Sequence, residues 1–127
     1  MLVLWLAAGG IAGTLARYGL GRWVHSWAGI AFPWGTFAIN LMGSFVLGVL
    51  LRGFEGSAVT PEVRAGLTAG FCGAFTTFST FTFETVALME AGAWGRAFAY
   101  SLGSLVLGLA AAWAGIQAAP YVFRPGA

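Results

Sequence analysis

The stretch Gly70–Glu84, "GFCGAFTTFSTFTFE", decides how this chain is read. It holds five Phe, one Cys, five Thr or Ser hydroxyls and one carboxylate, with no basic residue. A helix facing only lipid has no use for so many hydroxyls, and a water-soluble core has no use for so many rings beside them. Outward from it the chain stays apolar. Of 127 residues, 59% are hydrophobic and 8% charged, against about a quarter charged in soluble domains. Mean hydropathy is +0.84. The chain is therefore read as an all-α membrane protein, in one four-span domain covering residues 1–127.

Spanning a bilayer takes about 20 largely apolar residues. Four stretches meet that length, roughly 2–24, 33–53, 63–90 and 96–118, joined by the short connections "HSWAGIAF", "FEGSAVTP" and "AGAWG". The first lacks the basic leader of a signal peptide, since Arg17 and Arg22 follow its apolar run, and it is kept as a span. A net charge of +2 with no basic run gives no footing for nucleic acid. The single Cys72 cannot form an intramolecular disulfide or a Cys-based zinc site alone.

Four spans put both termini on one side, together with Arg52, Arg64 and Arg124. Arg22 and Arg96 fall on the other, with Arg17 nearby. Positive residues normally fix orientation by their asymmetry. Near-balance fits either a fixed topology with a weak signal or insertion both ways, which would permit an antiparallel homodimer with inverted-repeat symmetry. Small-xxx-small pairs (Gly9 and Gly13, Ser44 and Gly48, Gly66 and Gly70, Ser104 and Gly108) mark close helix packing in lipid. Four helices make too thin a bundle to enclose a wide route alone.

Polar groups within spans are costly and face protein or water. Arg17 either snorkels, about 10 Å of helix from the span end, or makes an electropositive mouth for an anion. Asn40 offers two donors and one acceptor, for an interhelical bond or a ligand, with Thr36 one turn earlier on its face. "GAFTT", Gly73–Thr77, lies mid-span. Gly with clustered Thr weakens a helix, so the third helix either breaks there, freeing carbonyls and amides for ions, or stays intact with its hydroxyls bonded back a turn. Phe78 and Phe81 share a face, and their electropositive ring edges can approach an anion without a deep well. Thr80 and Glu84 form an i,i+4 pair. Tyr100 and Ser104 align hydroxyls on the last span, a line that Gly108 continues without a donor. His25, read as lying in the first connection, has no partner for catalysis or metal in sequence.

The segments "GGIAGTLARY", "WGTFAINLMGSF" and "GFCGAFTTFSTF", over the full four-span length, resemble the signature segments of the small fluoride channels, the Fluc or CrcB family. The resemblance implies a third helix broken near its middle and a dual-topology antiparallel homodimer in a prokaryotic-type plasma (inner) membrane. Passive, selective export of cytoplasmic fluoride would run through two pores lined by both copies. It further implies a central structural sodium ion (Na+) held by backbone carbonyls of Gly73 and Thr76. Asn40 would be the pore amide, and Phe78 and Phe81 the rings passed edge-on. Thr80, Glu84, Tyr100 and Ser104 would lie on or beside a polar track, with Arg17 at a vestibule. Two departures stand out: Gly108 where some members carry a hydroxyl, and Ala74 for a second Gly at the break, where a positive φ would be uncomfortable. Two other classes remain as rivals. A small multidrug antiporter needs a membrane-embedded carboxylate, for which Glu84 is the candidate, and a non-transporting assembly subunit would use only the small-residue faces. No nucleophile–base pair speaks for an enzyme.

Overall fold

Three helices of the computed structural model are long and apolar enough to cross a membrane: α1 (Leu2–Ala28), α2 (Trp34–Gly53) and α6 (Trp94–Val122). The structure describes residues 1–124. Between α2 and α6 the chain makes its remaining crossing in pieces. It runs as α3 (Pro61–Ala65), a π-helical segment (Gly66–Cys72) and α4 (Gly73–Phe75), then breaks at Thr76 and Thr77 and resumes as α5 (Phe78–Glu90). Among the described residues there is no strand.

Close helix approach is built from glycine, as small residues in lipid require. A methyl group on Gly9 would run into the backbone of Gly66 and Phe71, and one on Gly70 into Leu6 and Gly9, so α1 and the π-helical segment touch backbone to backbone. The α2–α6 pair is made the same way. Gly48 meets Ala112 and Ile116, while Gly115 meets Phe45 and Val49. Gly108 takes no part in that contact, having open space where a side chain would point. The half-helix α5 packs mainly on α6 and touches α2 little.

Several boundaries move from the sequence reading. α1 runs through Ala28, past the expected end at 24, and stops only where Gly29 takes φ 76°, a conformation open to glycine at no steric cost. His25 thus sits in the last helical turn rather than in a connection. The break falls within "GAFTT", at its two threonines: Thr76 (φ −83°, ψ 158°) and Thr77 (φ −149°, ψ 118°) are extended. Gly73 itself is helical, φ −64°, and no non-glycine residue among those described has positive φ. Ala74 is therefore unstrained, because the turn out of the helix uses extended rather than left-handed backbone.

Candidate functional site: a polar break between two cavities

Breaking a helix inside a membrane strands backbone groups that cost several kcal/mol each if left bare. Here Asn40 takes up both groups of Thr77. Its Nδ2 donates to the Thr77 carbonyl at 2.9 Å, and its Oδ1 accepts from the Thr77 amide at 2.8 Å. Gly43, one turn along α2, leaves the space into which the Thr76 methyl and Phe75 ring fit. Thr77 then caps α5, its Oγ1 accepting from the Thr80 amide at 3.3 Å, as hydroxyls at helix N-caps do.

The break leaves the carbonyls of residues 73–76 without their helical donors, those of Gly73 and Thr76 among them. In a continuous helix the Thr77 amide would bond Gly73 and the Thr80 amide would bond Thr76, four residues back. Both amides are taken elsewhere, by Asn40 and by Thr77 Oγ1. The carbonyls of Gly73 and Thr76 are left without those donors, and nothing lies within 4 Å of where a Gly73 side chain would stand. Among the described residues no three His, Cys, Asp or Glu side chains gather to hold a metal. A hard cation at this place would find carbonyl oxygens instead, the donors such ions prefer.

On the other side of the break, Asn40, Ser104, Thr77, Phe78 and Phe81 line a cavity of about 340 Å³. The first turn of α5 opens there and carries the positive end of its helix dipole. Asn40 keeps one amide hydrogen beyond the bond to Thr77. Ser104 contributes a buried hydroxyl with no partner among the described residues. Phe78 is 76% exposed and stands at the rim. Its ring centroid lies 5.9 Å from that of Phe81.

Phe81 leads onward to Tyr100, which is 0% exposed, with the rings edge-on at 5.0 Å and 73°. The Tyr100 hydroxyl lies 3.5 Å from Glu84 Oε2, and Thr36 Oγ1 donates to Glu84 Oε1 at 2.5 Å. Thr36 and Glu84 belong to a second cavity, of about 430 Å³, which His25 and Phe32 also line. Neutral donors and ring edges thus run from Ser104 and Asn40, past Phe81 and Tyr100, to Thr36 beside Glu84. No arginine lines either cavity.

The candidate residues are not all brought together. Thr80 does not join Glu84. Its hydroxyl accepts from Thr77 at 3.0 Å, and the residue is exposed. Arg17 lines neither cavity. It is half-buried, one turn from Gly13, which packs on Phe71 and Ala74. Gly108 lines neither cavity as well, so the track has no continuation through it. Thr77 and Phe32 are additions the sequence reading lacks. The legible signal for Thr77 is the Thr77-x-x-Thr80 spacing of a helix start.

Fold and site together define a polytopic α-helical membrane protein whose third crossing is interrupted by a break lined by polar groups. The chain belongs to the CrcB-like family: the family profile described as "CrcB-like protein, Camphor Resistance (CrcB)" matches residues 4–116. Among curated relatives, the fluoride-specific ion channel FluC of Magnetococcus marinus is 45% identical over 117 residues, 91% of this chain and 95% of that one. A fluoride-specific ion channel FluC of Thermus thermophilus is 46% identical over 114 residues, 90% of each chain. FluC 2 of Moorella thermoacetica, also named a fluoride-specific ion channel, is 48% identical over 123 residues, 97% of this chain and all of that one.

Proposed function

We propose that this protein is a passive, fluoride-selective channel that lets cytoplasmic fluoride leave across a prokaryotic plasma membrane, and that it works as an antiparallel, dual-topology homodimer with two pores. One observation carries the reading: Asn40, Ser104 and Phe81 meet at the start of a mid-membrane half-helix, in a cavity without a fixed positive charge. Fluoride is small and strongly hydrated, so it leaves water only for firm hydrogen-bond donors. The free Asn40 hydrogen, the Ser104 hydroxyl and the Tyr100 hydroxyl are such donors, and the Phe78 and Phe81 edges bridge them weakly. Entry and exit both require moderate binding. The named activity of the relatives agrees with this reading, and channel chemistry needs no catalytic group.

Pairing is supported by what a single copy leaves bare. Ser79, Thr80, Gly73 and the Phe78 ring are exposed at mid-span, where polar surface facing lipid is unfavourable. A second copy, inverted, would cover them and complete the pore wall. The near-even arginine distribution permits both insertions. A sodium ion, when bound, would be held by the carbonyl oxygens of Gly73 and Thr76 from both copies and would brace the two breaks against each other. These carbonyls fit the ion, since hydrogen bonding within the chain has released them.

The test is efflux from proteoliposomes, followed by fluoride and chloride electrodes. Rapid fluoride release with negligible chloride release is expected. Equal rates for the two ions would refute selectivity, and crosslinks showing every copy oriented alike would refute the antiparallel pair.

A further inference from the structure

The connection between α1 and α2 is more ordered than its length requires. After Gly29 turns the chain, the Ala31 carbonyl accepts from Arg96 Nη1 at 2.8 Å, a bond to the start of α6. Pro33, at φ −77° and ψ 61°, is the centre of a tight three-residue turn in which the Trp34 amide donates to the Phe32 carbonyl at 2.8 Å. That is the geometry of an inverse γ-turn. Phe32 is therefore held from both sides, by a clasp to α6 and by a rigid turn into α2.

Its ring is used. Phe32 packs edge-on against Tyr100, centroids 5.4 Å apart at 72°, and is backed by Trp34 at 4.6 Å and Phe37 at 6.1 Å. Tyr100 is thus gripped between two rings, Phe81 and Phe32, and its hydroxyl is delivered to Glu84. Phe32 also borders the 430 Å³ cavity that Thr36 and Glu84 line.

We infer that Phe32, clasped through Ala31 by Arg96, is a positioning residue for permeation: it fixes the Tyr100 hydroxyl beside Glu84 at the mouth of the track. This deepens the channel reading and rests on it. Phe32 acts through Tyr100, so its removal matters only while the Tyr100 hydroxyl is present. A ring that merely filled space would matter equally with or without that hydroxyl.

The experiment is a double-mutant cycle on fluoride efflux, using full-length protein in liposomes and checking each variant for monodispersity in detergent. Phe32→Leu is expected to slow efflux five- to tenfold, but less than twofold further when added to Tyr100→Phe. Arg96→Gln, at an exposed site, removes the clasp without touching the ring. It is expected to slow efflux two- to threefold, again with no further loss in Tyr100→Phe. It serves if Phe32→Leu fails to assemble. Additive losses, or single variants indistinguishable from the parent, would overturn the inference while leaving the channel intact. A parent protein that fails to pass fluoride would bring down the channel reading, and the inference with it.

Discussion

Asn40 and Thr77 are joined as a closed pair, amide to backbone, with Nδ2 on the carbonyl and Oδ1 on the amide proton. The same side chain has a second amide hydrogen beyond that bond, and it lines a cavity together with Ser104. In the proposed channel, structure and conduction would draw on a single amide.

Asn40→Ala strands the backbone amide of Thr77, a residue that is 9% exposed, while the Thr77 carbonyl keeps its bond in the first turn of α5. Such an unsatisfied group costs about 1–3 kcal/mol. The variant is expected to melt at lower temperature in detergent and to lose fluoride efflux. Asn40→Asp keeps the acceptor for the Thr77 amide and should recover part of the stability but little of the flux. Thermal melting run alongside electrode traces separates the two effects.

Phe81 holds no backbone group in place, so its loss should act on flux first. Replacing it with Ile keeps bulk and removes an aromatic ring, with its electropositive edge, that packs on Tyr100 and lines the cavity. Efflux is expected to fall at least tenfold with assembly intact on size exclusion. Undiminished efflux in Phe81→Ile would rule out passage along this ring.

Glu84→Gln discriminates the channel from a proton-coupled antiporter. The amide oxygen of Gln can still accept from Thr36, as Glu84 Oε1 does. A passive pore is expected to keep fluoride efflux within about tenfold of the parent and to confer no dye resistance in either form. Dye resistance in the parent that vanishes in Glu84→Gln would favour the antiporter.

Two glycine substitutions should behave oppositely. Gly115→Ala forces a methyl group onto the Phe45 carbonyl and Val49 amide, and overpacking of this kind costs typically about 1–3 kcal/mol. Gly73→Ala meets nothing within 4 Å in a single copy, and its helical φ of −64° suits alanine. Its expected effect is confined to pairing: less crosslinked dimer and weaker protection from heat by sodium chloride relative to choline chloride. Unchanged dimer and unchanged sodium protection would place the partner elsewhere.

Much of the architecture is legible because membrane spans announce themselves by length and apolarity, as α1, α2 and α6 do. The broken span is legible as a weakness at "GAFTT", but not its resolution. What completes Thr77 is a side chain 37 positions earlier, and no local pattern carries that pairing. The freed carbonyl of Gly73 follows only once Asn40 is seen to take the Thr77 amide, and that of Thr76 once Thr77 Oγ1 is seen to take the Thr80 amide. Thr80 differs from its i,i+4 reading for a local reason: its amide and hydroxyl oxygen are engaged by Thr77 rather than by Glu84. The π-helical segment leaves no mark in the residues beyond its glycines, because its course is decided by contact with α1. Phe32 hides in a connection, where aromatic residues read as interface anchors.

The dependence of residues 76 and 77 on α2 carries a lesson about biogenesis. A lone third segment entering lipid has no Asn40 to answer its exposed peptide groups, so its cheapest insertion state is one uninterrupted rod. The discontinuity can open only after the preceding segment has docked beside it. In the proposed channel, the kink would thus be a late product of assembly, formed once α2 is in place beside it.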